Sequence, residues 1–239
     1  MTGRIAQARF PRGVADPSGE RAYLRDQAGR LVALDLQSGN VLWRTTAPMR
    51  PLLARDDKVS AMRLAGPHAL EVVVLDAANG RELNRSNPLV LPDWANVSLQ
   101  DTPDFTLYAE EENGAFFLRW SARKRYRGGA APNAKILEAA RRDAWGRARV
   151  DLATGEIEEL SNAAGAAPEP PPDENPAFST PDVLEQRDFG DKSFQLLARN
   201  IAGGAVQMLV RALDPKSGRV AWETIVDEAS AQRPKPPRP

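Results

Sequence analysis

Ala33-Leu-Asp-Leu-Gln-Ser-Gly-Asn-Val-Leu-Trp43 and Ala212-Leu-Asp-Pro-Lys-Ser-Gly-Arg-Val-Ala-Trp222 are one pattern written twice, and this pattern decides the fold. Two looser copies lie between them, Val74-Leu-Asp-Ala-Ala-Asn-Gly-Arg-Glu-Leu-Asn84 and Arg149-Val-Asp-Leu-Ala-Thr-Gly-Glu-Ile-Glu-Glu159. In each, an apolar or β-branched stretch runs into an aspartate, a glycine follows four residues later, and a second strand-like stretch comes after it. Strand, polar reversal and returning strand make a β-hairpin. Asp35, Asp76, Asp151 and Asp214 stand at the entry of the turn. Gly39, Gly80, Gly155 and Gly218 stand where a positive φ is needed and a Cβ is penalised.

Another strand and turn precede each hairpin. Arg21-Ala-Tyr-Leu-Arg25 leads to Gly29, Val59-Ser-Ala-Met-Arg-Leu64 to Gly66-Pro67, Phe105-Thr-Leu-Tyr-Ala109 to Asn113-Gly114, and Phe194-Gln-Leu-Leu-Ala198 to Gly203-Gly204. Of these, Asn113-Gly114 is the strongest turn signal. The four aspartates are 41, 75 and 63 residues apart; allowing for an excursion of about 31 residues in the third unit and a Pro-rich stretch of roughly 20 in the last interval restores a period near 42. Repeats of that length, each with three or four short strands, are the blades of a β-propeller. The expected fold is therefore all-β, a propeller of about four blades forming a small or partial ring over residues 1–228. Excursions are expected at about 115–145, where one short helix forms, and at about 165–182. A closed four-bladed ring, an eight-bladed ring made by two chains and a ring shared with a partner all satisfy this repeat count. Unpaired blade edges must in any case be covered.

The two intact repeats, with Ala33, Asp35, Ser38, Gly39 and Trp43 matched by Ala212, Asp214, Ser217, Gly218 and Trp222, resemble the tryptophan-docking repeat of PQQ-like, quinoprotein-type β-propellers. The resemblance extends over most of residues 5–228 apart from the two excursions. It implies that Trp43 and Trp222 are buried between adjacent blades, on a bed lined by the small residue and the glycine. Asn84 and Glu159 stand at the tryptophan position of the middle repeats, so there it implies the hairpin but not the indole. The resemblance also brings in a quinone-dependent dehydrogenase, with its cofactor, calcium ion and catalytic aspartate at the ring centre. Four blades, no adjacent pair of cysteines and no identifiable central cluster speak against that enzyme, and no cofactor is expected.

Lys plus Arg number 32 and Asp plus Glu number 32, so no whole-molecule field draws the chain to nucleic acid or anionic membrane. Without cysteine there is no disulfide framework, thiolate zinc site or cysteine nucleophile. The single histidine, His68, lies in the turn Gly66-Pro67-His68 and reads as an exposed imidazole without an orienting partner. Nucleotide-binding glycine loops, zinc motifs and nucleophile elbows are absent from the sequence. No stretch of 18 apolar residues occurs, and the first ten residues have no apolar signal core. As given, the chain reads as cytoplasmic, and as periplasmic if a leader preceded it.

Three segments stand outside the blade pattern. In Ala115–Tyr126, Phe116, Leu118, Trp120 and Ala122 fall on one face of an extended strand, while Arg119, Ser121, Arg123, Arg125 and Arg127 fall on the other. Together with Lys124 these cations are the candidate interaction residues. The plainer alternative is a solvated face whose arginines balance Glu110, Glu111 and Glu112. Asn133 reads as the N-cap of a helix over 134–142. The Pro-rich stretch 166–176 cannot sustain sheet hydrogen bonds and reads as an extended loop. Residues 229–239 read as a disordered tail in which Pro234 and Pro237, with basic neighbours, suit polyproline-reading domains.

These features lead to an expected role as a non-catalytic scaffold that binds a protein partner or a second copy of itself, with no nucleic acid and no membrane insertion. The alternative is an envelope-associated assembly or sensor domain, similar to propeller lipoproteins.

Overall fold

The computed structural model describes residues 4–5, 9–55, 57–124, 133–160, 183–201 and 206–227. The candidate residues Arg125, Arg127, Pro234 and Pro237, the Pro-rich stretch and the C-terminal tail lie outside the described residues.

Four antiparallel sheets form, each a meander of consecutive strands. The first contains β2 (Arg9–Phe10), β3 (Gly13–Ala15), β4 (Arg21–Arg25), β5 (Arg30–Asp35) and β6 (Val41–Pro48). The second contains β7 (Arg50–Arg55), β8 (Lys58–Gly66), β9 (Ala69–Asp76) and β10 (Glu82–Arg85), with β11 (Leu89–Val90) added to β9. The third contains β12 (Phe105–Glu112), β13 (Ala115–Lys124), β14 (Arg142–Val150) and β15 (Ile157–Leu160). The N-terminal β1 (Arg4–Ile5) closes its edge by pairing with β12. The fourth contains β16 (Val183–Phe189), β17 (Lys192–Asn200), β18 (Val206–Leu213) and β19 (Val220–Ile225). One short helix, α1 (Ala134–Ala140), stands between β13 and β14. The four sheets follow the four repeats, one all-β blade to each.

The repeat hairpins close as the sequence requires. The Gly39, Gly80, Gly155 and Gly218 amides each donate to the carbonyl of the aspartate four residues earlier at 2.8 Å. Their φ values of 66–79° explain why glycine recurs there. At Asn113-Gly114 both residues take positive φ, 53° and 76°, which matches the right-handed twist of the flanking strands.

Burial groups into three cores, and each is a joint between two sheets. Phe10, Leu24, Leu34, Phe194, Met208 and Val210 join the fourth sheet to the first. Tyr23, Leu31, Trp43, Val59, Val73 and Leu75 join the first to the second. Leu53, Met62, Leu70, Phe105, Leu107, Phe116 and Leu118 join the second to the third. The spatial order is thus fourth, first, second, third. Among the described residues no such core joins the third sheet to the fourth. Blades pack in this way because each strand alternates, and each sheet's apolar rows must face a neighbour to leave water.

Candidate interaction surface

Each joint is built from the hairpin upward. In the first repeat the Asp35 carboxylate accepts from the Ser38 amide at 2.7 Å, the Ser38 hydroxyl at 2.9 Å and the Gln37 amide at 2.9 Å. Asp151 and Asp214 repeat this with Thr154 and Ala153, and with Ser217 and Lys216. Such bonds favour the charged form. The carboxyl of Asp35 is held below its ordinary value chiefly by the Ser38 amide, that of Asp151 by the Thr154 amide, and that of Asp214 by the Ser217 amide. The turn so fixed presents its glycine and the carbonyl after its aspartate to the blade before it.

On that bed sits the docking side chain. The Trp43 Nε1 donates to the Ala77 carbonyl at 3.0 Å, and its ring lies so close to Gly80 that an added Cβ would meet it at 2.6 Å. Trp222 does the same across the other joint, donating to the Leu36 carbonyl at 3.2 Å and covering Gly39 at the same approach. Trp43 is buried; Trp222 is docked but half-buried. At the joint between the second and third sheets, Asn84 Nδ2 donates to the Leu152 carbonyl at 3.0 Å and to the Ala153 carbonyl at 2.6 Å. Leu152 follows Asp151 as Ala77 follows Asp76, so the amide keeps the indole's hydrogen bond without its ring. Gly155 meets the Arg85 carbonyl instead, only 2.2 Å from where a Cβ would stand, and accepts from the Asn87 amide at 2.7 Å.

Among the described residues the third blade has no docking residue of this kind. A bulge precedes Trp43, Asn84 and Trp222 in β6, β10 and β19, but β15 pairs with β14 without one, placing Glu158 opposite Arg149 and Glu159 opposite Ala148. Among the described residues, no atom lies within 4 Å of where a Cβ on the matching acceptor, Gly218, would stand.

On the arginine-bearing face of β13, Arg119 resolves into an ion pair, as does Arg147 of the neighbouring β14. Arg119 bonds Glu110 at 2.6 Å, and Arg147 bonds Glu112 at 2.7 Å while its guanidinium lies 3.9 Å from the centre of the Phe117 ring. Glu111 points to the other side and pairs with Arg55 of the second sheet. Balancing by the three glutamates, the plainer of the two sequence readings, accounts for Arg119. Arg123 and Lys124 are exposed at the far end of the hairpin, together with Arg142. There α1 is capped by Asn133, whose side chain accepts from the Ile136 amide, and it leaves Ile136 and Leu137 50% and 45% exposed.

His68 is half-buried rather than exposed, because its Nδ1 lies 2.9 Å from the Ala95 carbonyl on the connection after β11. Sequence reasoning also missed a set of cations around the first sheet. Burial pushes the Arg25 guanidinium down to about 10, with Arg50 and Arg12 adding to the effect. Arg50 is held by a two-pronged bond to Asp101, both distances 2.8 Å. Missed too was a cleft of about 630 Å³ between the second and third sheets, beside Asn84.

Comparison with known proteins follows this geometry. Residues 6–102, the first two blades and the connection beyond them, match a family model described as outer membrane protein assembly factor BamB. No curated protein matches the chain. Among solved structures, BamB from Moraxella catarrhalis is 17% identical with a TM-score of 0.28, covering 87% of this chain and 62% of its own. The computationally designed Ika8 protein is 9% identical with a TM-score of 0.26, over 92% of this chain and 61% of its own. The WD40 domain of SCAP from fission yeast is 13% identical with a TM-score of 0.26, over 83% and 51%. The chain thus spans less than two thirds of each of these structures. Among the described residues no helix is long and apolar enough to cross a membrane. By its four sheets and its Asp-to-Gly hairpins the fold is an all-β array of propeller-type blades, and over residues 6–102 its sequence is similar to the outer membrane protein assembly factor BamB family.

Proposed function

We propose that this chain is a non-catalytic scaffold that binds protein partners through its blades, with the end of the β13–β14 hairpin as a contact element. One observation carries the reading: Ile136 and Leu137 stand about half exposed on α1, which leads directly into β14, where the exposed Arg142 pairs across the hairpin with the exposed Lys124 next to Arg123. An exposed apolar pair costs free energy in water, and rimmed by charge it has the composition of a protein contact rather than of a core. The double variant Ile136→Asp, Leu137→Asp should keep the parent's melting temperature within about 2 °C, since half-exposed side chains contribute little to folding. It should lose the partner that the parent retains from extracts of the source cell. Equal retention by parent and variant would overturn the assignment of the hairpin, and measurable dye reduction with added quinone cofactor would overturn the non-catalytic role.

The match of residues 6–102 favours a more specific form of this reading, in which the partner belongs to the assembly of outer-membrane proteins and the scaffold works in the periplasm. Fractionation of the source cell tests it: recovery in the cytosol alone would refute it. A monomeric mass by light scattering would remove the second copy as the partner.

A further inference from the structure

The row of residues that crosses each sheet at the docking register is not the same in every blade. In the first sheet it reads Tyr23, Ala33, Trp43, and in the fourth Phe194, Ala212, Trp222. In both, two rings flank an alanine and meet with centroids 5.8 and 5.9 Å apart. In the second sheet the same row reads Ser60, Val74, Asn84. Two aromatic rings are replaced by a hydroxyl and an amide, and two methyl groups gained at Val74 do not restore the volume. On the facing blade, the wall that is Ala54 and Val59 behind Trp43 becomes Glu111 and Phe116. The backbone cannot close the resulting space, because the β10 strand already touches Gly155.

The result is the 630 Å³ cleft, whose lining includes Ser60, Val74, Asn84, Phe116, Leu152 and Ala153. Its volume is within the range of about 300–1,000 Å³ usual for ligand pockets. Val74, Phe116 and Leu152 supply an apolar wall. The Leu152 and Ala153 carbonyls face Asn84 and keep a second lone pair each for a further donor. At the mouth the Arg55–Glu111 pair, Asp57 and Lys58 offer both signs of charge.

We infer that this cleft is a receptor for an aromatic side chain, above all an indole, presented by an extended segment of a protein partner. The occupant follows from the molecule itself: at two sister joints the same register and carbonyl hold an indole supplied from within the chain, whereas here Asn84 takes the carbonyl, the β10 backbone covers the glycine, and no described residue fills the space of the ring. The inference rests on the reading of the blades as a protein-binding scaffold and names what that scaffold grips, at a place separate from the α1 hairpin.

Titration of the full chain with N-acetyltryptophanamide and with Gly-Trp-Gly, read by amide NMR, tests the cleft without any identified partner. Saturable shifts are expected at Ser60, Val74, Asn84, Leu152 and Ala153, and Gly-Ala-Gly should give none. Asn84→Trp should fill the cleft from within and weaken binding at least tenfold. If that variant fails to fold, Ser60→Tyr, which restores the other ring, should weaken binding similarly. Absence of saturable shifts up to the solubility of the probes overturns the inference, as does undiminished binding in a folded Asn84→Trp chain. Binding of the probes would stand even if the hairpin variant above retained its partner, so the two readings fail separately.

Discussion

The joint between the first and second sheets and the joint between the second and third share their backbone plan but differ in filling. Both present a turn closed by an aspartate, a glycine at positive φ and a carbonyl one residue past the aspartate. At the first joint an indole covers the glycine and is 9% exposed, tilted against Tyr23. At the second an amide reaches the same carbonyl, the neighbouring backbone comes down onto the glycine, and a cleft stays open beside it. The blades therefore take their mutual position from the hairpins and the row cores; the indole fills what those leave. The second joint has its own substitutes for the ring in the Arg50–Asp101 fork and a core that reaches from Leu53 to Leu118.

The largest effect that would sharpen this contrast is Trp43→Ala. Removing a large buried aromatic costs about 3–5 kcal/mol, so the thermal midpoint should fall by several degrees; a drop no larger than that of Asn84→Ala would mean that the two joints are equivalent after all. Next comes a matched pair of glycines. At Gly80 an alanine faces both the positive φ and the Trp43 ring, for a cost of roughly 2–4 kcal/mol, whereas at Gly218 it meets only the φ penalty of about 1–2 kcal/mol. Equal losses in chemical unfolding would break the claim that the docked indole, and not the positive φ alone, makes Gly80 the costlier site. Asn84→Ala should cost about 1 kcal/mol for two hydrogen bonds at a half-exposed site.

The parts of this picture that the sequence made legible are those decided within a few residues. Asp35 to Gly39 is a complete turn instruction, since the carboxylate, the two amides it caps and the positive φ all lie inside five positions. The pairing of Arg119 with Glu110 followed from the Asn113-Gly114 turn, which sets the register of β12 against β13. Residues brought together from afar were not legible. The half-burial of His68 depends on Ala95, 27 residues on, and the cleft depends on reading Ser60, Val74 and Asn84 as one row across three strands. That the fourth blade docks onto the first was only one of several arrangements allowed by a repeat count. The loss of the bulge in β15 is one residue of register, and it exchanges the roles of Glu158 and Glu159 without any change in composition.

The smallest expected effect concerns the repeat turns whose aspartates cap neighbouring amides. The Asp35, Asp151 and Asp214 carboxyls are held below the ordinary 3.8 by the amides they cap, so the folded chain binds their protons less readily than the unfolded chain does. Their contribution is complete above about pH 4 and is lost as the pH falls through the lower folded values. Thermal midpoints measured from pH 6 to pH 2.5 should therefore decline on the acid side. Replacing all three aspartates by asparagine keeps an acceptor oxygen at each turn but removes the titrating charge, and it should flatten that decline while lowering the midpoint at pH 6 slightly. Because the Asp35 turn seats the docked Trp222 and the Asp151 turn seats Asn84 beside the open cleft, acid should loosen both joints together, as read by the NMR signals of the Trp222 indole and the Leu152 amide. An acid response confined to one of the two probes would show that the shared hairpin does not set the geometry of both joints.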